Sequence, residues 1–338
     1  MNESDRSERP PTRFSLASFG DEAVLLDLES SGYFMVNRSA ERIFRILIEE
    51  GQRDSVERRV AAELRISDLS ARAAVEDVMR QLAAPPARLS FPGPFTYLPL
   101  ENCYQLSIEG RPILDIRKDG RSARRPHGLP APIPLAHTLR VAAPKLLSHS
   151  GLTVLHASAC QTSSGLTAFC GLSGAGKTTT ARAFATEGME LFCEDLIVLA
   201  PPGADSRPRA LVGAEKAAHG WAREAAARTG DGEEIDCSDL PGLVVASGET
   251  VALTRIIFID ASRRSGDAIT VRRMRPAEAL VQILLSNFVG SADRSNWESY
   301  FQRSAMIVRS AEMSLATMPA GIDKLPAAIR RYRESSAS

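Results

Sequence analysis

The segment Gly171-Leu172-Ser173-Gly174-Ala175-Gly176-Lys177-Thr178 fits G-x-x-x-x-G-K-[ST] at every fixed position. Residues of these types at this spacing suit one task, which is holding the phosphates of a nucleotide. Glycines let a backbone wrap so that successive N–H groups face phosphate oxygens. A helix starting near Lys177 aims the positive end of its dipole at the same anion. The expected phosphate contacts are Gly171, Ser173, Gly174, Ala175, Gly176, Lys177, Thr178 and Thr179. Lys177 is placed to reach the β- and γ-phosphates, and the Thr178 hydroxyl to ligate Mg²⁺. The expected ligand is a purine nucleotide with Mg²⁺.

A metal held on a hydroxyl needs an acid nearby. Glu194-Asp195 lies within the apolar run LFCEDLIVL, near the middle of a predicted strand. Two adjacent carboxylates there are costly to bury without a cation. Asp195 is the expected second support for Mg²⁺, which leaves Glu194 to accept a proton.

The elements around these residues are those a phosphate-binding loop requires. Predicted strands cover Thr153–Ala159 and Leu166–Cys170, joined through 161–165, and the second runs straight into the glycines. A helix over about 177–187 and a strand Glu190–Leu199 complete a strand–loop–helix–strand unit. Upstream, Tyr104 to Arg117 reads as two strands turning at Glu109-Gly110. The basic, proline-rich stretch 118–134 reads as a surface loop, and a helix is expected from roughly 135 to 149. Residues 203–240 read as polar and Gly-rich, with Lys216, His219 and Trp221. Farther on come strands Ile256–Asp260 and Ile269–Met274, then a helix Pro276–Phe288.

The N-terminal third has a different texture. Residues 1–12 are polar, end in Pro10-Pro11 and read as a disordered tail. Ala23–Leu28 and Tyr33–Val36 flank the turn cluster 29–32, which is a hairpin signal. Asn37 is a candidate N-cap. Three amphipathic helices follow. The first carries Ile43, Ile46 and Leu47, the second Val56, Val60 and Leu64, the third Val75, Val78, Met79 and Leu82. Pro85-Pro86 and Pro92-Gly93-Pro94 then break the pattern. The expected domains are 13–84, winged-helix-like and α+β, and 99–332, α/β, with 85–98 as linker.

Composition excludes several classes. Lys+Arg and Asp+Glu both number 41 in 338 residues, without the basic excess usual for nucleic-acid binding. Aromatics at 6% leave few platforms for stacking bases. The five cysteines form no CxxC pair, so neither a zinc site nor a disulfide framework is expected, and a reducing compartment fits. With no apolar run of about 18 residues and a polar N-terminus, the chain is expected in the cytoplasm, with no membrane and no nucleic-acid partner.

Three pieces together, LHASA with His156, GLSGAGKT, and FCEDLIVL with Glu194 and Asp195, resemble the HPr kinase/phosphorylase superfamily. Its kinase core is related to phosphoenolpyruvate carboxykinase. The resemblance covers about 100–330. It implies ATP as the nucleotide, and a P-loop kinase fold in which the P-loop, His156 and the acidic pair converge. It implies Glu194 as the general base toward a Ser hydroxyl, with His156 beside the γ-phosphate. The family usually has Asp at that position, so Glu shifts the carboxylate by about one methylene. Kinase chemistry is expected, without the reverse phosphorolysis.

The stretch EAVLLDLESSGYFMVNRSAERIF is similar to PqqD-like domains, peptide-recognition elements of ribosomal peptide maturation systems. That resemblance implies capture of a precursor-peptide leader on the Tyr33, Phe34, Met35, Val36 strand as an added strand. Together the halves imply a kinase that phosphorylates Ser or Thr of a captured peptide. A small-molecule kinase acting on free serine or a sugar, and a non-catalytic nucleotide-dependent scaffold, remain open, as does homo-oligomerisation.

Overall fold

The computed structural model describes residues 13–50, 52–88, 95–126, 133–201, 207–230, 233–246, 248–264, 266–286 and 294–337. The expected tail 1–12 and the Pro92-Gly93-Pro94 break lie outside them. The chain divides into two compact units, Met1–Leu89 and Ser90–Ser338.

The first unit opens with β1 (Phe14–Phe19), β2 (Glu22–Asp27) and β3 (Gly32–Asn37), paired antiparallel in that order. β1 precedes the hairpin legible in the sequence. Then come α1 (Arg38–Glu50), α2 (Arg53–Leu64) and α3 (Asp68–Ala83). Asn37 Oδ1 accepts from the amide of Ala40 at 2.9 Å, satisfying a donor the first turn leaves open. Ile43, Ile46, Val56, Val60, Val75 and Val78 form one buried cluster, as their helical spacing requires. Met79 departs from the expectation and lies exposed.

Asp27 explains the turn after β2. Its buried carboxylate accepts from Arg13 at 2.7 and 3.1 Å, from Ser30 Oγ at 2.8 Å and from the Glu29 amide at 3.1 Å. Burial pushes its pKa up, but these donors outweigh burial and hold it at about 2. Part of the expected linker is a strand, β4 (Ala87–Arg88), opposite Tyr33 and Gly32. The ladder stops there because the register would next bring Pro86, which has no N–H, opposite Phe34.

In the second unit β5 (Phe95–Pro99) also begins inside the expected linker. It pairs with β6 (Cys103–Ile108), which turns back as β7 (Arg111–Arg117). Both turn residues are left-handed, Glu109 at φ 49° and Gly110 at φ 77°. The stretch expected as loop contains β8 (Ser122–Arg124), while its residues 127–132 lie outside the described set. After α4 (Leu135–His149) come β9 (Thr153–Leu155), β10 (Ser158–Thr162), β11 (Gly165–Cys170), α5 (Lys177–Thr186), β12 (Glu190–Cys193) and β13 (Ile197–Leu199).

The segment expected as polar and Gly-rich holds β14 (Arg209–Leu211), α6 (Ala214–Arg228) and β15 (Glu234–Asp236), followed by α7 (Leu240–Val245). β15 closes the sheet of β5 to β8. Alanines 214, 218, 222 and 225 and Trp221 recur at helical spacing and bury one face of α6, which the count of polar residues hid. The chain ends with β16 (Thr250–Arg264), β17 (Thr270–Arg273), α8 (Pro276–Ser286), α9 (Arg294–Ser310), β18 (Glu312–Met318) and α10 (Leu325–Ala337).

Among the described residues these strands build a nine-stranded mixed sheet. Its centre is parallel, with β16 between β11 and β18. The other pairs are antiparallel, so the unit is mixed α/β.

Candidate functional site

Two strands expected to be continuous are both interrupted, at facing positions. β9 pairs with β13 through Leu155↔Ile197, and β10 pairs with β12 through Ala159↔Cys193. The two pairs that flank the gap share one register, which shifts by one residue beyond Ala159. One antiparallel ribbon is therefore opened over residues 156–158 and 194–196. His156, Glu194 and Asp195 sit in that opening, not in the middle of strands.

The opening leaves backbone groups that the ladder would have paired, and side chains take them. Glu215, in the first turn of α6, accepts from the amides of Glu194 at 3.1 Å and Asp195 at 2.7 Å. The Glu194 carbonyl accepts from Thr178 Oγ1 at 3.1 Å and from Ser158 Oγ. The Asp195 carbonyl lies 3.2 Å from His156 Nδ1. Buried or half-buried backbone groups need such partners. Here the partners come from the P-loop helix, from β10, from α6 and from the His156 segment. The acidic pair is thereby fixed beside the P-loop.

The P-loop runs from the C-terminal end of β11 into α5. Gly176 caps α5 at φ 98° and makes no side-chain cap, which suits that turn's amides to an anion. Lys177 is buried and donates to the carbonyls of Gly171 at 3.1 Å and Leu172 at 3.2 Å. Burial lowers its pKa. Ser173 and Gly174 are exposed at the loop tip, Ala175 packs inward, and Thr178 and Thr179 are half-buried.

The two carboxylates have different partners. Glu194 forms a two-bond pair with Arg182 of α5 at 2.7 and 2.8 Å, which lowers its pKa. Arg182 stabilises the ionised form of Glu194, which makes it a weaker proton acceptor. Asp195 Oδ1 lies 3.1 Å from His156 Nδ1, and Oδ2 lies 3.4 Å from Arg140 of α4. The hydrogen bond to His156 first, with Arg140 adding to it, holds Asp195 at about 2 against the effect of burial. Both acceptors near Nδ1 fix its proton there, so Nε2 is the lone-pair nitrogen of the neutral ring.

A metal at this place meets hard oxygen donors, the Thr178 hydroxyl and an Asp195 carboxylate that stays ionised. That donor set suits Mg²⁺, which is held by one or two carboxylates and otherwise by water and phosphates. No cluster of three His, Cys, Asp or Glu able to cage a metal exists among the described residues. The five cysteines are unpaired. No helix among the described residues is long and apolar enough to cross a membrane.

Four supporting residues escape sequence reasoning: Arg140, Ser158, Arg182 and Glu215. Arg182 alone left a trace, as the outward position one turn after Thr178. His219, one turn beyond Glu215, has its pKa lowered by burial and then by Arg140.

No family model and no curated protein matches this chain. Among solved structures it is similar to one titled "Structure of the Hpr(Ser) kinase/phosphatase from Coxiella burnetii". That match has 14% identity, spans 55% of this chain and 99% of the other, and has a TM-score of 0.26. A likeness that low carries no argument, and function here rests on the site's own residues.

Proposed function

We propose that this chain is an ATP- and Mg²⁺-dependent phosphotransferase that acts on a Ser or Thr hydroxyl, on a precursor peptide captured by its first unit. The observation that carries it is the Thr178 hydroxyl bonded to the Glu194 carbonyl. That bond joins a phosphate-binding loop to an ionised acid and an oriented imidazole, a constellation suited to phosphoryl transfer.

Lys177 and the open amides of α5 neutralise the γ-phosphoryl oxygens. Mg²⁺ held at Thr178 and Asp195 offsets phosphate charge when bound. His156 accepts the acceptor's hydroxyl proton at Nε2, with Asp195 holding its Nδ1–H. The acceptor oxygen bonds to the γ-phosphorus, the bond to the bridging oxygen breaks, and ADP leaves. Glu194 positions this machinery through Arg182 and its own carbonyl.

The edge of β3 supports a peptide as acceptor. Beyond Tyr33 no described strand pairs with its outer side, so Phe34 to Asn37 can take an added strand. Capture there raises the local concentration of the acceptor. Labelled ATP is incubated with the protein and Ser- and Thr-containing peptides, and separately with free serine. Label is expected on peptide Ser or Thr, and Lys177→Met is expected to abolish it. Label on free serine but not on peptide would sink the peptide assignment, and no transfer to any alcohol would sink the kinase.

A further inference from the structure

A pocket of about 330 Å³ adjoins the P-loop on the side of the β18–α10 connection. Gly174, Gly176, Thr179 and Thr180 form one wall. Met318, Pro319, Gly321, Ile322 and Leu325 form the other. The first wall is the phosphate loop itself, so whatever fills the pocket is continuous with a bound polyphosphate. The second wall is apolar; its Met318 and Leu325 belong to the buried core, whereas Ile322 does not. Ile322 is 73% exposed, a large aliphatic side chain left in water at the pocket rim. Gly321 turns the chain there at φ 125°, where a Cβ would meet Asp323 Oδ1 at 2.6 Å. The turn thus depends on glycine and sets Ile322 at the rim.

Ligand pockets of a few hundred cubic ångströms are mostly apolar with a few polar groups. Here the polar side chains are the hydroxyls of Thr179 and Thr180. A phosphate alone has no use for the apolar wall, whereas a flat heteroaromatic base does. We infer that this pocket holds the nucleoside of the bound nucleotide, with Ile322 packing on the base. The inference rests on the phosphate site proposed above and assigns the remainder of the ligand. It also gives the exposed isoleucine a partner in the bound state.

Titration calorimetry of the full chain in Mg²⁺ with ATP, and separately with inorganic tripolyphosphate, separates the two ideas. Tripolyphosphate carries the phosphates without the nucleoside. The unaltered protein is expected to bind ATP more tightly than tripolyphosphate. Ile322→Asn is neutral and lies at an exposed position. It is expected to weaken ATP about tenfold, near 1.4 kcal/mol, and to leave tripolyphosphate unchanged. Ile322→Tyr, which offers a ring for stacking, is expected to retain or tighten ATP binding. If Ile322→Asn binds ATP like the unaltered protein, or weakens both ligands equally, the nucleoside pocket is wrong and the phosphate site stands. If the unaltered protein binds neither ligand, the phosphate site itself is wrong and the pocket falls with it.

Discussion

Replacing Glu215 by alanine tests whether the opened ribbon is held from outside the sheet. Its carboxylate accepts from two backbone amides, at 3.1 and 2.7 Å, and both belong to the acidic pair. Burial, first among its influences, raises its pKa, so ionised Glu215 is kept there at some cost. Glu215→Ala leaves two half-buried N–H groups without an acceptor. At about 1–3 kcal/mol for each abandoned donor, offset by water entering the space, a loss of about 2–4 kcal/mol is expected. The chemistry should suffer more than binding does. The P-loop amides and Lys177 are untouched, so the affinity for ATP without Mg²⁺ should stay within about threefold, under 0.7 kcal/mol. Asp195 and His156 lose their fixed position, and displacement of a reacting group by about 1 Å costs about 100-fold in rate. Glu215→Gln should fall between, because an amide accepts through one oxygen and turns donors toward the other N–H. Denaturant midpoints, ATP calorimetry and the peptide transfer assay read the three effects. If Glu215→Ala unfolds at the unaltered midpoint and transfers phosphate at the unaltered rate, the ribbon does not depend on Glu215 and the account fails.

The Asp27 turn should show in acid. Its folded pKa of about 2 lies below the ordinary 3.8, so its contribution is present above about pH 4 and lost as pH falls toward 2. That shift corresponds to about 2 kcal/mol, and Asp27→Asn should reduce the acid-sensitive part of the first unit's stability, to which Glu50, Glu57 and Glu63 also contribute, as followed by circular dichroism. Base selectivity should be weak, because apolar contacts reject an isosteric competitor poorly. GTP is expected to displace ATP with an affinity within about tenfold, read by competition calorimetry.

The fixed spacing of Gly171 to Thr178 depends only on local chain geometry, so the phosphate loop and the helix after it were legible in the sequence. The same holds for the three amphipathic helices, whose buried faces follow the 3.6-residue period, and for the Glu109-Gly110 turn. The proximity of His156, Lys177 and the acidic pair came from a motif combination, and the structure brings them together. The sequence reading gives Asp195 the metal and Glu194 the proton. Glu194 and Asp195 are neighbours of the same charge, and neither carries a local mark. What the structure adds is their different partners, Arg182 for Glu194 and His156 and Arg140 for Asp195, residues 12, 39 and 55 positions away. The break in the ribbon was equally hidden, since LFCEDLIVL has the apolar content of an unbroken strand. It exists because Glu215, Ser158 and Thr178 supply, from three other elements, the hydrogen bonds that a continuous ladder would have supplied.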